Sequence, residues 1–414
     1  MEAGRIVILG AGHGGGTVAA LLRQLGFAGE ISLIGEEPIA PYQRPPLSKA
    51  WLKGEVDGEA LALRPERFYA EHRIDLRLNT RVTAIDRQAS SGGAAGAVLL
   101  EGGETVPYTR LIIATGARAR RLSLPGSVLE GVLELRTAAD ADSLKAVLGP
   151  GKRLAVIGGG YVGLEAAASA RALGAEVTVI EMQPRVLARV ACESLSEFIQ
   201  DYHRGRGVAF ELAAGVAGLE GQDGHVASVR LADGRAIACD AALVGVGALP
   251  NEELAAAAGL TCDNGVVVDG TARTADPAIY AIGDCTRRPM PLYDRMWRLE
   301  SVPNALEQAK QAAADICGTK PPAAETPWFW SDQYDLKLQI AGLPFDVAQT
   351  VTRGHPSTAR FAVFHLNADN QIQAVEAVNA PPEFMAGRQL IGLRKSVAPD
   401  KLSDMSVSMK EVAA

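Results

Sequence analysis

The chain has 414 residues and a formal net charge of −7, because 41 Lys and Arg residues stand against 48 Asp and Glu residues. A single hydrophobic core stops growing at about 250–300 residues, so this length predicts two or three domains. A hydrophobic share of 48% and a charged share of 21% exclude a disordered or fibrous chain. The acidic balance argues against a nucleic-acid-binding protein, which would carry a basic face.

The sequence also argues against a membrane segment. A membrane-spanning helix needs about 18 consecutive apolar residues, and no uninterrupted apolar run in this sequence is that long. The opening residues, MEAGRIVILG, enter a strand pattern almost at once, which leaves no room for a signal peptide. We therefore expect a soluble cytoplasmic protein.

The first motif is a glycine-rich turn between a strand and a helix. The apolar run 6–9 predicts a buried parallel strand, and a helical pattern follows at 17–26. Gly10, Gly12 and Gly15 between them satisfy G-x-G-x-x-G, with His13 inside the turn. Such glycines permit a tight turn, the approach of a pyrophosphate and close packing of helix on strand. Glu36, just after the next strand, can accept the hydroxyls of an adenosine ribose.

The same pattern occurs a second time. The strand 154–157 leads into Gly158, Gly160 and Gly163, and then into an Ala-rich helix. The following strand ends at Glu181, whose carboxylate repels a 2′-phosphate and accepts a 2′-hydroxyl. Two complete units predict two dinucleotide sites and favour NADH over NADPH at the second. Arg185 keeps NADPH open as the alternative.

The order of the strands indicates how the units are joined. The second unit, which closes with a strand at 241–246, lies between the apolar strands 111–116 and 278–284. This order predicts an α/β fold in which a second Rossmann-like domain is inserted into the first. After about residue 325, alternating strands and a helix at 383–395 predict a third, α+β domain.

Several segments resemble a known family. The two glycine motifs, the turn Ala114-Thr115-Gly116 and the segment 280–284 (YAIGD) resemble the two-dinucleotide flavoprotein disulfide reductase superfamily. Within it, the segments 41–49 (PYQRPPLSK), 297–302 (WRLESV) and 328–333 (WFWSDQ) resemble the NADH-dependent ferredoxin and rubredoxin reductases of oxygenase systems.

The resemblance implies a role for each domain. It implies an FAD-binding domain at 1–112 and 247–325, an NADH-binding domain at 113–246 and a C-terminal interface domain at 326–414. It also implies a Lys49–Glu165 pair at the nicotinamide pocket, with Lys49 stabilising negative charge on the flavin. The FAD-binding residues implied are Gly10, Gly12, His13, Gly15, Glu36, Arg44, Lys49, Val82, Thr115, Gly116, Arg136, Asp284, Val302 and Trp330. The NADH-binding residues implied are Gly158, Gly160, Tyr161, Gly163, Glu165, Glu181 and Gly247.

The cysteines distinguish this chain from the disulfide reductases that it resembles. Those enzymes carry a redox Cys pair near the flavin, whereas the stretch 35–78 contains no cysteine. Electrons therefore need an external acceptor, and they leave singly if that acceptor is an iron–sulfur protein. The five cysteines include no C-x-x-C, so no local zinc or dithiol site is predicted. These residues are Cys192, Cys239, Cys262, Cys285 and Cys317.

Some residues permit two interpretations. Trp330 fits either a core aromatic or a ring beside the flavin, and Tyr161 fits a packing or gating ring with no chemical role. The histidines lack metal spacing and are expected on the surface, namely His203, His225 and His355. Two arginine groups fit either solvated faces or a surface for an acidic partner, namely Arg64, Arg67, Arg73 and Arg77, and Arg287, Arg288, Arg295 and Arg298.

Three functions follow from these patterns. The first is an NADH-dependent reductase that contains FAD and reduces a [2Fe–2S] ferredoxin serving a cytochrome P450 or ring-hydroxylating oxygenase. The second is a rubredoxin reductase with the same catalytic core. The third is an NADH-sensing interaction flavoprotein similar to apoptosis-inducing factor. Neither a nucleic-acid nor a membrane partner is expected, and the chain is expected as a monomer or weak dimer.

Overall fold

The computed structural model describes residues 4–88 and 93–413. The chain forms two compact units. Unit 1 contains Met1–Gln43, Gly58–Arg118 and Leu249–Trp328, and unit 2 contains Arg44–Asp57, Ala119–Ala248 and Phe329–Ala414. Two short strands, Ala117–Ala119 and Ala248–Pro250, lie where the chain passes from one unit to the other.

Unit 1 is built around a parallel sheet. Its strands are apolar and β-branched because helices and other strands cover both faces. The first strand of the chain, Arg5–Leu9, lies at the centre of this sheet. Its two neighbours are Glu30–Ile34, which follows it in the chain, and Arg110–Ile113, which comes much later, so the strand order reverses beside Arg5–Leu9. In spatial order the strands are Ile279–Ala281, Arg110–Ile113, Arg5–Leu9, Glu30–Ile34 and Ile74–Arg77.

Further elements complete unit 1. One antiparallel sheet contains Val82–Asp86, Gly96–Leu100 and Thr105–Tyr108, and a second small sheet contains Val266–Val267, Thr286–Met290 and Arg295–Trp297. The helices are His13–Gln24, Gly58–Leu61, Glu66–Glu71, Glu253–Ala257 and Val302–Ile316, with a 3-10 turn at Gly283–Cys285.

Unit 2 contains a second parallel sheet of the same type. Its central strand is again followed directly by a glycine turn and a long helix. In spatial order the strands are Val208–Glu211, Glu176–Ile180, Arg153–Ile157, Ala241–Val244 and Val132–Leu133. A three-stranded antiparallel sheet accompanies it, formed by Val216–Gln222, His225–Leu231 and Ala236–Ala238.

The C-terminal part of unit 2 is an antiparallel sheet with a helix. The sheet has the order Trp328–Gln333, Leu336–Gly342, Ile372–Val378, Arg360–Leu366 and Gln349–His355. The helices of unit 2 are Ala50–Lys53, Ala138–Ala146, Tyr161–Ala172, Glu193–Arg204, Pro381–Leu393 and Pro399–Ser403, with 3-10 turns at Pro45–Ser48 and Pro356–Thr358. The predicted fold class, two Rossmann-like sheets with the second inserted and a C-terminal α+β part, is confirmed. No helix in the described part of the chain is long and apolar enough to span a bilayer.

Candidate active site

The first glycine turn has the geometry of a phosphate cradle. Gly10 has φ +108°, and a Cβ there would lie 2.2 Å from the carbonyl oxygen of Ala114. A Cβ on Gly15 would lie 1.9 Å from the carbonyl oxygen of Gly10, so helix and strand pack without room for a side chain. Gly12 instead faces open space and caps the helix His13–Gln24 without any side-chain hydrogen bond to its first amides. The helix terminus, which its cap residue Gly12 does not cap with a side chain, and the space beside Gly12 fit a pyrophosphate.

The second glycine turn repeats this geometry in unit 2. Gly158 has φ +107°, and a Cβ there would lie 2.4 Å from the carbonyl oxygen of Gly245. A Cβ on Gly163 would lie 2.4 Å from the carbonyl oxygen of Gly158, whereas Gly160 faces open space. Each turn follows the central strand of its parallel sheet, next to the point where the strand order reverses. Ligands bind at that point in open α/β sheets.

The acidic residues after the second strands have different surroundings. Glu181 is fixed, because its two carboxylate oxygens accept the backbone N–H groups of Gly159 at 2.7 Å and Gln183 at 2.8 Å. Glu36 is exposed, and its carboxylate lies 3.5 Å from Nε of Arg81. At both positions the carboxylate is placed where it could accept hydrogen bonds from the hydroxyls of a ribose.

The turn at Thr115 and Gly116 is fixed by a residue that the sequence patterns did not single out. The Thr115 hydroxyl donates to the carbonyl of Asn251 at 2.7 Å, and the Asn251 amide donates back to the carbonyl of Thr115 at 2.9 Å. The backbone N–H of Asn251 also donates to Gly116. Asn251 therefore holds a turn at the carboxyl end of the strand Arg110–Ile113, in unit 1.

The remaining predicted FAD-binding residues are divided between the two units. In unit 1, His13 begins the first helix, Val82 begins a strand, Asp284 lies in the 3-10 turn and Val302 begins the helix Val302–Ile316. In unit 2, Arg44 donates a 2.6 Å hydrogen bond to the carbonyl of Arg136, and Trp330 lies half-buried on the strand Trp328–Gln333.

Lys49 and Glu165, both in unit 2, are in direct contact. The Lys49 ammonium lies 2.6 Å from Oε2 of Glu165, and the carboxylate is 6% exposed. Ser48 donates to the same oxygen at 2.6 Å, and Ser331 donates to Oε1 at 2.6 Å. Lys49 also donates to the carbonyl of Pro45 at 3.1 Å. Three charge-assisted contacts therefore stabilise a buried carboxylate that lacks bulk water.

The contacts around Glu165 extend into the protein through a chain of polar side chains. The Gln333 amide donates to Ser331 at 3.1 Å, and Oε1 of Gln333 lies 2.8 Å from Nε2 of His203. Because that oxygen can only accept, Nε2 of His203 carries the hydrogen. The donors therefore point in one direction, from His203 through Gln333 and Ser331 to Glu165.

The predicted surface position of His203 is wrong. His203 is 0% exposed, and burial lowers its pKa to about 4, so the imidazole is neutral at pH 7. The helix Glu193–Arg204 places Leu195, Ile199 and His203 on one buried face, four residues apart. That spacing is the sequence signal that identifies His203 as an interior residue. His225 and His355 are exposed, as predicted.

The second predicted arginine group includes a residue that is not on the surface. Arg288 is 2% exposed and donates to Glu307 at 2.8 Å and to Asn304 at 3.0 Å, so it is an interior ion pair. In the first group, Arg77 pairs with Asp75 and Glu104, whereas the exposed side chains are those of Arg64, Arg67 and Arg73.

The other predicted nicotinamide-side residues lie on the turns of unit 2. Tyr161 is the first residue of the helix Tyr161–Ala172, and its ring meets Phe329 edge-on with centroids 5.0 Å apart. Gly247 has φ +107° and its carbonyl accepts the backbone N–H of Arg120.

The thiols carry no sign of a redox pair. All five cysteines are free in the described part of the chain. Burial is the main cause that raises the pKa of Cys192 to about 12 and those of Cys239 and Cys262 to about 11. These thiols are therefore protonated at neutral pH, and a protonated thiol is a poor nucleophile.

Comparison with known proteins identifies the family. The pattern of the pyridine nucleotide-disulphide oxidoreductase family matches residues 4–309, and a reductase C-terminal pattern matches residues 328–413. The chain therefore belongs to the pyridine nucleotide-disulphide oxidoreductase family. This confirms the resemblance, the oxidoreductase class, and FAD and a nicotinamide dinucleotide as cofactors.

Individual relatives span nearly the whole chain. A protein of Castellaniella defragrans named "Probable ferredoxin reductase CtmF" is 54% identical over 99% of this chain and 98% of its own. A rubredoxin-NAD(+) reductase of Pseudomonas putida is 42% identical over 91% and 96%. The crystal structure of a covalent putidaredoxin reductase–putidaredoxin complex matches with a TM-score of 0.95, 41% identity and coverage of 99% and 98%.

Proposed function

We propose that this chain oxidises NADH and passes the electrons one at a time to a [2Fe–2S] ferredoxin that serves a cytochrome P450 or a ring-hydroxylating oxygenase. One observation carries the proposal: two dinucleotide-type glycine turns occur in a chain whose described cysteines are all free and lie outside 35–78. Bound FAD would take hydride from NADH and release electrons singly. In such a protein the electrons from NADH would reach the flavin, and the described cysteines form no pair that could accept them.

The surroundings of Glu181 support NADH as the donor. Two backbone N–H groups hold its carboxylate at the end of the strand Glu176–Ile180, where a 2′-phosphate would meet a fixed negative charge. Arg185 is the residue that would favour NADPH. Its guanidinium instead donates to the carbonyls of Ala188 at 3.2 Å and Ala191 at 3.0 Å.

We propose that Lys49 and Glu165 form the catalytic pair. Glu165 holds the ammonium of Lys49 in a mostly buried position, where a positive charge acts over a short distance in a medium of low dielectric. Lys49 would place this charge beside the flavin and stabilise the negative charge that reduction produces. Ser48 and Ser331 donate hydrogen bonds to the carboxylate of Glu165, and this carboxylate in turn accepts from the ammonium of Lys49.

The residues of the two turns would bind the cofactors. In unit 1, the first glycine turn with Glu36, Thr115, Gly116 and Asp284 would hold FAD. We propose the domains as predicted, with FAD at 1–112 and 247–325, NADH at 113–246 and an interface domain at 326–414. We also propose that the protein works in the cytoplasm.

Two observations bear on the electron acceptor. Names of relatives refer to ferredoxin, and the matching crystal structure contains a putidaredoxin. Ferredoxins are usually acidic, and the exposed Arg64, Arg67 and Arg73 offer a positive surface on this acidic chain. We therefore place docking on that arginine group rather than on the group that contains the buried Arg288.

Rubredoxin is the second candidate acceptor, because a rubredoxin-NAD(+) reductase is 42% identical to this chain. The proposed catalytic pair would serve either acceptor. Only the docking surface would differ between the two functions.

The test compares acceptors on the purified protein with FAD bound. NADH-dependent reduction of [2Fe–2S] ferredoxins and of rubredoxins is followed by the absorbance of each carrier. Faster reduction of a ferredoxin supports the proposal, and faster reduction of rubredoxin supports the second candidate. A protein that NADH reduces but that transfers electrons to neither carrier contradicts both and favours the NADH-sensing alternative.

A further inference from the structure

Three potential metal ligands that are not among the predicted site residues meet in unit 2. Cys192 immediately precedes the helix Glu193–Arg204, His365 lies on the strand Arg360–Leu366, and Glu376 lies on the strand Ile372–Val378. Their sulfur, imidazole nitrogen and carboxylate oxygen all lie within 4.8 Å of one another. Cys192 and Glu376 are 184 residues apart, so no local spacing in the sequence indicates this cluster.

His365 points an unsatisfied nitrogen into the cluster. Its side chain is 6% exposed, and Nε2 has no hydrogen-bond partner. The nearest carboxylate oxygen, Oε2 of Glu376, is 3.6 Å away, which is too long for a hydrogen bond. A buried imidazole nitrogen without a partner is uncommon in proteins and requires an explanation.

The spacing fits two ligands of one tetrahedral ion. With Zn–N and Zn–O bonds of about 2.0–2.2 Å and a tetrahedral angle, the two ligand atoms lie about 3.3–3.5 Å apart. The distance between His365 and Glu376 exceeds this by little, so a small side-chain shift brings both atoms to one cation.

Backbone contacts already hold the other two ligands together. Both carboxylate oxygens of Glu376 accept the N–H of Cys192, at 3.1 and 3.2 Å. This contact fixes Glu376 at the start of the helix while leaving lone pairs on each oxygen. The thiol of Cys192 is half-buried, which leaves an approach from solvent.

We propose that Cys192, His365 and Glu376 bind one divalent cation of the Zn²⁺ class, with a fourth position open to water. A sulfur, an imidazole and a carboxylate suit Zn²⁺, whereas Mg²⁺ and Ca²⁺ require oxygen ligands alone. Binding would displace the thiol proton of Cys192. Burial raises the pKa of Tyr161, at the second glycine turn, and the negative charge of Glu376 raises it further, so a bound cation would change the electrostatic environment there.

The test titrates Zn²⁺ alone into the FAD-containing protein in competition with a chromophoric chelator. The variants are Cys192→Ser, in which Ser remains a good residue at a helix start, and His365→Gln. Each should weaken Zn²⁺ binding by more than about 100-fold, beyond the effect of losing an outer-shell partner. Matched controls are Cys262→Ser, at another half-buried thiol, and His225→Gln, at an exposed imidazole 3.0 Å from Glu130.

The expected result is one tight site per chain, retained in both controls and lost in both variants. Zn²⁺ should also raise the melting temperature of the wild type and not that of Cys192→Ser, which reports occupancy independently of activity. Wild-type binding no tighter than that of Cys192→Ser would overturn the proposal. Circular dichroism of each variant without Zn²⁺ separates loss of a ligand from loss of the fold, and Cys192→Ser alone decides the question if His365→Gln does not fold.

Discussion

The hydroxyl of Ser331 donates a 2.6 Å hydrogen bond to Oε1 of Glu165, the carboxylate whose other oxygen receives the ammonium of Lys49. Ser331 lies on the first strand of the C-terminal sheet, next to Trp330. The charge of the proposed catalytic pair and the position of that strand are therefore linked through one hydroxyl.

Replacing Ser331 with Ala should weaken both stability and catalysis. The variant leaves Oε1 of a buried carboxylate without this donor, and a hydrogen bond to a charged group contributes about 1.5–3 kcal/mol. The free energy of unfolding should fall by that order, and reduction of bound FAD by NADH should slow. Urea unfolding and stopped-flow absorbance measure the two effects. As a control, Ser228→Ala removes a partly exposed hydroxyl that reaches Glu220 at 3.2 Å, and unchanged values are expected.

Removing the ammonium of Lys49 should destabilise the protein far more than removing a surface ammonium. Lys49→Ala leaves Glu165 as a buried carboxylate without its cation, and breaking a buried pair typically costs about 3–5 kcal/mol. Lys53→Ala breaks the exposed pair with Glu55, whose atoms are 2.9 Å apart, and should change stability by about 0–1 kcal/mol. Equal losses of unfolding free energy in the two variants would show that the Lys49–Glu165 contact stabilises the protein no more than the exposed Lys53–Glu55 pair does.

His203 predicts a pH dependence of stability. Burial lowers its pKa to about 4 in the folded protein, against about 6.5 when unfolded. Between these values the unfolded chain binds more protons, so stability should fall as the pH drops from about 6.5 to about 4, by about 3 kcal/mol in total. In His203→Gln this contribution should disappear, whereas His355→Gln, at an exposed site, should retain it. Denaturant unfolding across that pH range measures the difference, and parallel curves for the wild type and His203→Gln would refute the assignment.

The two glycines of the second turn should respond differently to alanine. In Gly163→Ala the new Cβ would lie 2.4 Å from the carbonyl oxygen of Gly158, and overpacking of this kind costs about 1–3 kcal/mol. In Gly160→Ala the Cβ meets open space, so stability should change by less than about 1 kcal/mol while KM for NADH rises. Thermal unfolding and steady-state kinetics separate the two effects. An unchanged KM for NADH in Gly160→Ala would show that the dinucleotide does not bind beside Gly160.

Glu181 should control the choice of nicotinamide donor. Glu181→Gln removes the charge that would repel a 2′-phosphate while keeping an acceptor for one backbone N–H. The ratio of kcat/KM for NADH to that for NADPH should fall by roughly tenfold, which corresponds to about 1.4 kcal/mol. Glu176→Gln, at the exposed start of the same strand, is the matched control. An unchanged ratio would show that Glu181 does not determine the preference for NADH over NADPH.

The sequence predicted the features that depend on local pattern. The glycine turns and the inserted order of the two parallel sheets follow from local patterns, whereas the contact between Lys49 and Glu165, 116 positions apart, was expected only from the family resemblance. Ser331 and Asn251 could not be found in this way, because the residues that they contact are 166 and 136 positions away along the chain. Arg288 looked like part of a basic surface because its partner, Glu307, lies on a separate helix. His203 is different, since the four-residue spacing from Leu195 and Ile199 was visible in the sequence.

An anaerobic titration with NADH, followed by ferredoxin, tests the central claim most directly. One equivalent of NADH should bleach the bound FAD completely, because the cysteines in the described part of the chain form no pair that could take two further electrons. Two equivalents of oxidised [2Fe–2S] ferredoxin should then restore the flavin absorbance, since each cluster accepts one electron. Consumption of a second NADH before bleaching is complete, or a ferredoxin that stays oxidised, would contradict the account.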